Sequence, residues 1–421
     1  MEPPNRLLML QGPLSPLYAR IADLLEPAGT EVIRVNLCGA DAAAWSRRPA
    51  IAFRGHPDAW PGFLRDTIAP LKPDAMLLHG DRRPLHKAAV AWAGRNGVDV
   101  LVTELGYLRP DWMTLERGGT SALSHFPSDP AQITAIARRA PDVDFSPRYD
   151  TGLWPLIAGE LQFAAANTLL WPFWPHYRSH KQPPLHRLYP GWVAARLRGA
   201  LRRQPDPLPP GNPFVFGLQL EGDFQLREHS PFADLDAAVD HVVGSFARHA
   251  PRGSALIVKP HPHDFAWRKT RRIVESARRR HDLGKRLSLI EGHSIGALCQ
   301  SASGFVSINS SGGFEALQAG VPVHAVMPTI YAVQGLTHQD TLDSFWTGAS
   351  PPDTGLLADL CRAIAATIQV RGTIYGPRGL HAAADGMAQR ILDGSINGLG
   401  AYVATPPRLA GARAMGVGYE R

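Results

Sequence analysis

The chain has 421 residues, 44% hydrophobic and 19% charged, which excludes a largely disordered protein and asks for two cores of ordinary size. Cys38, Cys299 and Cys361 are odd in number and far apart, which excludes a disulfide framework or zinc knuckle and suits a reducing cytosol. The net charge is +7, and GxGxxG and GxxxxGK[ST] spacings are missing, which weakens dehydrogenase and P-loop kinase readings.

The first half alternates short apolar runs with amphipathic stretches. Strands are predicted at Arg6–Leu10, Glu31–Asn36, Ala75–His79 and Val98–Glu104. Helices are predicted at Pro16–Glu26, Trp60–Ala69 and Leu85–Asn96. That rhythm implies a parallel α/β sheet, whose ligands sit at the carboxyl ends of the strands. The turns Gln11-Gly12-Pro13, His79-Gly80-Asp81 and Glu104-Leu105-Gly106 then lie on the functional edge. The opening residues lack the long apolar core of a signal peptide, so no export is expected.

Residues 153–175 are apolar but interrupted by Pro155, Glu160, Gln162, Asn167 and Pro172, which argues against a membrane span. They read either as a buried helix with an aromatic end or as an aromatic surface at a membrane interface. Seven Lys/Arg and no Asp/Glu follow across 176–203, and a second basic run covers 268–286. Such runs are solvated helix faces or partners of anionic lipid; no nucleic-acid-binding motif accompanies them.

Residues 204–213, QPDPLPPGNP, read as an interdomain linker. A second series follows, with strands at Phe214–Leu218, Ala255–Lys259, Leu287–Ile290, Gly304–Ile308 and Val321–Val326, and helices at 233–249, 266–281 and 312–319. The expected architecture is α/β of the GT-B kind, two Rossmann-like domains with parallel sheets facing across a cleft. Its parts are an acceptor domain at 1–205, a donor domain at 206–395 and a loose, Gly/Ala/Pro-rich tail at 396–421. Such a pair of domains also serves epimerases and periplasmic-type binding proteins, so fold alone does not settle function.

Three segments of the second half can carry chemistry. LQLEGDFQLREHSPF, 218–232, packs Gln219, Asp223 and Gln225 into one loop after a strand, and Asp223 can act as nucleophile or base. VKPHPHD, 258–264, ends a strand with Lys259 and His261, cationic groups suited to a departing phosphate. SINSSGGFEALQAGVPV, 307–323, sets Asn309, Ser310 and Ser311 ahead of a helix, where amide N–H groups favour phosphate. Glu315, in the first turn, caps that helix or grips ribose hydroxyls. Asp142-Val143-Asp144 has the DxD form of a metal-holding pair, but sits in a proline-flanked loop where chance is the better explanation. No metal and no cofactor are expected.

These segments, with LQGP at 10–13, ELGYLRPDWMTLE at 104–116 and YAVQGLTHQDTLDSFW at 331–346, resemble the capsule polysaccharide biosynthesis proteins of the KpsS/LipB type, β-Kdo transferases. The resemblance runs from Gln11 to about Trp346. It implies a GT-B fold, CMP-Kdo as donor, a phosphatidylglycerol-type lipid acceptor and peripheral attachment at the cytoplasmic face of the inner membrane. Other capsule biosynthesis and export proteins are implied as partners. By its likeness to sialyltransferases that use CMP-activated sugars, His261 with Lys259, and Ser310 with Ser311, hold the CMP. Retention of configuration makes Asp223 the residue that attacks the anomeric carbon, or else the base, and Glu104 the acid/base for the lipid hydroxyl. Gln11 and Gly12 fall on the acceptor side, where Leu14-Ser15 replaces an expected glycine-containing turn. Another nucleotide-sugar donor, or a non-catalytic subunit of capsule assembly, are the alternatives.

Overall fold

The structure, a computed structural model, describes residues 2–45, 48–150, 152–179, 204–220, 222, 224–262, 264 and 266–419, with 190, 191, 193 and 199 as isolated positions. The first sheet comprises β1 (Arg6–Met9), β2 (Glu31–Asn36), β3 (Ile51–Ala52), β4 (Ala75–His79), β5 (Asp99–Leu105), β6 (Trp112–Arg117) and β12 (Gln369–Arg371), in the order β12-β6-β5-β4-β1-β2-β3. The second comprises β7 (Phe214–Gly217), β8 (Leu256–Lys259), β9 (Leu287–Leu289), β10 (Gly304–Ser307) and β11 (Val323–Ala325), in the order β11-β10-β7-β8-β9, with every pairing parallel. Both are covered by helices on two faces, so their strands are continuous apolar runs: Leu7, Leu8 and Met9, or Leu256, Ile257 and Val258, are fully buried. This is the two-sheet GT-B architecture.

Three features depart from the expectation. The first sheet is mixed, because β6 pairs antiparallel with β5 and β12 antiparallel with β6. Buried Thr114 and Glu116 gave β6 a polar pattern that reads poorly as a central strand. The chain also does not stay in the second unit until 395. At β12 it returns to the first sheet, and helix Pro377–Leu392 packs on helix Leu17–Leu25, with Leu380, Ala383 and Met387 in the same core as Leu17 and Ile21. The last residues, in turn, are built into the fold. Helix Leu409–Ala414 is followed by buried Val417 and Tyr419, and Tyr402 stacks on His125 at 4.4 Å.

The strongest part of that ending is Arg408. It is 4% exposed and donates to four carbonyls: Thr329 (2.8 Å) and Ile330 (3.1 Å) of the second unit, and Phe126 (2.7 Å) and Pro127 (3.1 Å) of the first. The two units are joined again where helix Pro130–Arg139 packs on helix Thr354–Thr367, with Thr134 donating to Asp359 at 2.7 Å.

Near Arg408 lies Glu116, fully buried, accepting from Tyr107 Oη at 3.1 Å and from Ser124 Oγ. Burial pushes its carboxyl up from 4.5 to about 7. The folded protein therefore keeps a proton that the unfolded chain releases above 4.5. This contribution to stability is complete at lower pH and is lost as pH rises towards about 7. The stability of the wild type relative to Glu116→Gln is expected to fall across that window and to level off above it. Chemical denaturation of both proteins over pH measures this, and a pH-independent difference contradicts it.

The basic run 268–286 lies largely on helix Trp267–Arg280. Ile273, Val274 and Ala277 face the core, and Arg280 pairs with Asp240 and Arg278 with Glu275 on the outer side. It is a solvated helix face. No helix among the described residues is long and apolar enough to cross a membrane.

Candidate functional site

Strands β10, β7 and β8 are neighbours, and their carboxyl ends fall in register at Ser307, Gly217 and Lys259. The three chemistry-bearing segments therefore leave the second sheet side by side. The chain runs outward from β7 to β8 and β9, then returns to β10 on the other side of β7. The reversal between β7 and β10 is a topological switch point, where α/β sheets open a crevice for ligand. Gln219 and Asn309 face each other there: Gln219 Nε2 donates to Asn309 Oδ1 at 2.8 Å, and both residues are buried. Gln219 Oε1 is buried with no hydrogen-bond partner. An unmet acceptor in the crevice costs free energy that a ligand donor can recover.

Ser310 and Ser311 are half-buried at the start of helix Gly312–Gln318. Ser310 Oγ accepts from Gly312 N at 3.1 Å, and its carbonyl accepts from Tyr331 Oη at 2.6 Å. Gly312 and Gly313 are needed for close packing: a Cβ at 312 meets Ile295 at 2.6 Å, and one at 313 runs into the Tyr331 phenol. Lys259, 8% exposed, turns its Nζ to the Pro260 carbonyl at 3.0 Å. Desolvation lowers its pKa, opposed by Glu291 and Glu315. The turn bearing His261 is tied down by Asp264, whose N donates to the His261 carbonyl and whose carboxylate accepts from Thr270 Oγ1 at 2.6 Å.

The first sheet has its own reversal, between β1 and β4. Arg83 Nη1 spans it, donating to Gln11 Oε1 at 3.1 Å and to the Gly12 carbonyl at 3.2 Å. Gln11 Nε2 turns the other way, towards Cys38 Sγ, Asp41 Oδ2 and Tyr177 Oη at 3.3–3.4 Å. Glu104, the penultimate residue of β5, lies beside this group. Gly80, with φ +74°, makes room for it, since a Cβ there comes within 2.8 Å of Glu104 Oε1. The Gln11–Pro16 turn, the Ala40–Ala44 helix segment and Gly159, Gln162 and Phe163 enclose a cavity of about 160 Å³ next to Gln11 and Gly12.

Arg109 connects the halves. Desolvation lowers its pKa, opposed by the charge of Glu315 of the second unit and, less, by that of Glu104 of the first. Glu315 in turn couples to Arg109 and Lys259. Glu104, Arg109, Glu315 and Lys259 thus lie within electrostatic reach of one another, each acting on the next between the two sheet edges. A second link is Arg82 Nη2 to Glu228 Oε2 at 3.7 Å, with the Arg82 guanidinium over the Tyr419 ring.

Gln219, Lys259, His261, Asn309, Ser310, Ser311 and Glu315 all lie at the carboxyl edge of the second sheet, and Gln11, Gly12 and Glu104 at that of the first. Asp223 lies outside the described residues; Gln225 is placed in helix Phe224–Arg227. Asp142 bonds Arg362 at 2.9 Å, whereas Asp144 bonds Ser146 N at 2.8 Å and Arg148 at 3.0 Å, so the two carboxylates serve different partners. Sequence reasoning missed Arg83 and Arg109. Arg109 sits inside the marked segment ELGYLRP, where a cation five residues after Glu104 was the available signal, whereas Arg83 falls just past the marked turn 79–81 and its approach to Gln11 needed the strand order.

Residues 74–375 match the family model described as "Capsule polysaccharide biosynthesis protein". The capsule polysaccharide export protein KpsS of Escherichia coli is 32% identical over 383 residues, 88% of this chain and 97% of that one. The capsule polysaccharide modification protein LipB of Neisseria meningitidis serogroup A is 27% identical over 393 residues, 89% of this chain and 93% of that one. Among solved structures, the Thermosulfurimonas dismutans KpsC β-Kdo 2,7 transferase is similar at 15% identity and a TM-score of 0.42, covering 92% of this chain and 99% of that one.

Proposed function

The chain belongs to the capsule polysaccharide biosynthesis protein family, and on that premise we propose that it is a glycosyltransferase moving Kdo from CMP-Kdo to a phosphatidylglycerol-type lipid. The observation that carries this reading is the second-sheet switch point. There a buried amide pair with one unmet acceptor lies beside a buried lysine and a serine-led helix start. That arrangement suits a nucleotide monophosphate: hydroxyl and amide donors for its polar edges, and positive charge for the phosphate that leaves.

In this reading CMP lies over the second sheet, its phosphate on Ser310, Ser311, Lys259 and His261, and its ribose near Glu315. Gln219 and Asn309, with Gln225, hold the base and sugar. The lipid hydroxyl enters over the first sheet, past Gln11 and Gly12, and Glu104 takes its proton. The bond from the anomeric carbon to the phosphate oxygen breaks, and CMP departs with the electron pair. With retention, Asp223 first forms a bond to that carbon and the lipid oxygen then displaces it; alternatively Asp223 is the base for same-face attack. The chain's own groups supply this chemistry, and the protein works against the cytoplasmic face of the inner membrane.

Calorimetry tests the donor site. CMP is expected to bind the wild type, and Lys259→Met to weaken it about 10–100-fold through loss of one charge-assisted contact. UDP binding in preference to CMP argues for another nucleotide-sugar donor. Absence of binding to either nucleotide favours a non-catalytic subunit.

A further inference from the structure

Helix Leu153–Leu169 packs on the carboxyl edge of the first sheet by one narrow side. Phe163 is buried against Cys38 and Ala40, Ala40 N donates to Asn167 Oδ1 at 3.1 Å, and Gly39 lets the Ala166 backbone approach. The other side is exposed, and apart from Gln162 and Thr168 its exposed residues are apolar. Trp154, Ala158, Leu161, Ala165 and Leu169 are all exposed. Their spacing of four, three, four and four residues puts them within one stripe along the helix. Trp154 is 78% exposed, Leu169 76%, and the stripe continues into Trp171 at 60% and Phe173. A soluble helix normally turns such a stripe inward; here it points outward, as a continuous patch rather than scattered single residues.

The surroundings specify what covers it. Arg54, itself exposed, holds its guanidinium 5.9 Å from the Phe173 ring centre and 5.7 Å from that of Trp174, at the aromatic end of the stripe. Arg178 follows on the surface, within a stretch, 176–203, whose sequence has seven Lys/Arg and no Asp/Glu. Aromatic and aliphatic anchors flanked by cations match an anionic lipid interface: apolar side chains enter the acyl boundary while basic groups meet phosphates. A protein partner of ordinary composition offers no such reason for the one-sided charge.

We propose that the outward stripe of helix Leu153–Leu169, with Trp171 and Phe173, is the surface on which this protein rests against an anionic phospholipid membrane. The same helix supplies Gly159, Gln162 and Phe163 to the wall of the cavity beside Gln11 and Gly12. Docking therefore brings that cavity to the lipid layer. The docking stands on exposure and charge alone; its service to an acceptor site rests on the transferase reading.

Vesicle sedimentation tests it, with phosphatidylcholine vesicles made with and without phosphatidylglycerol. The wild type is expected to bind the anionic vesicles and to be released by salt. Leu169→Gln/Trp171→Gln, both exposed positions, is expected to bind at least about tenfold more weakly with an unchanged melting temperature. Turnover on a short-chain, dispersed lipid acceptor should survive in this double variant. Equal vesicle binding by the two proteins overturns the proposal. So does a wild-type dimer that the double variant turns into a monomer in sedimentation velocity, which makes the stripe a protein interface. Vesicle binding that is lost in the variant, in a protein that transfers no sugar, supports the docking and removes the transferase reading instead.

Discussion

Glu104→Gln is expected to lower kcat by about 10²–10⁴-fold, the range for loss of a positioned acid/base, with the fold intact. The side chain leaves the penultimate position of β5 against Gly80, which has no Cβ to exclude it. The substitution keeps shape and removes charge and basicity. Arg109 keeps Glu315 as its larger electrostatic partner, so the link across the cleft persists. Because the donor is read onto the second sheet, KM for CMP-Kdo should change little. Steady-state kinetics with both substrates varied separates the outcomes. A variant with full turnover takes Glu104 out of the mechanism; one with raised KM and normal kcat makes it a binding group.

Arg408→Ala is expected to lower stability by about 3–5 kcal/mol, the sum of several buried carbonyl hydrogen bonds to one charged donor at about 1 kcal/mol or a little more each. The carbonyls of Phe126, Pro127 and Ile330 lose their donor at once, while that of Thr329 keeps Ala332 N. Burial already depresses this guanidinium to about 10, a measure of how little water reaches it. Arg408→Lys should recover only part of the loss, since one ammonium cannot reproduce the fork over four acceptors. Denaturant unfolding followed by circular dichroism measures both variants. A cost below about 1 kcal/mol, the range of an ordinary surface change, contradicts the role given to Arg408.

Much of the fold was legible because buried parallel strands are short apolar runs with punctuated ends. Leu7–Met9, Met76–Leu78, Leu256–Val258 and Phe305–Val306 announce themselves in this way. Trp112–Arg117 did not, because its buried Thr114 and Glu116 are polar groups whose side-chain partners, Gln369 for one and Tyr107 and Ser124 for the other, lie outside the strand. Gln369 of β12, fully buried, likewise meets Tyr107 N and Thr114 Oγ1, more than 250 positions away. The final residues looked loose because Gly, Ala and Pro carry no periodic pattern, while Arg408 acts through backbone carbonyls, which no sequence motif encodes. The donor-side residues were readable one loop at a time, since each follows a strand. That Gln219 meets Asn309 needed the strand order, and that Arg109 couples Glu104 to Glu315 needed the two units set opposite each other.

The central claim is tested most directly by mixing the purified protein with CMP-Kdo and a phosphatidylglycerol acceptor, then following CMP release and lipid product by mass spectrometry. The expected result is CMP and a Kdo-bearing lipid in equal amounts, with loss of both in Asp223→Asn. No CMP and no glycolipid, under conditions in which an authentic homologue works, or turnover of a UDP-sugar without any acceptor, contradicts it.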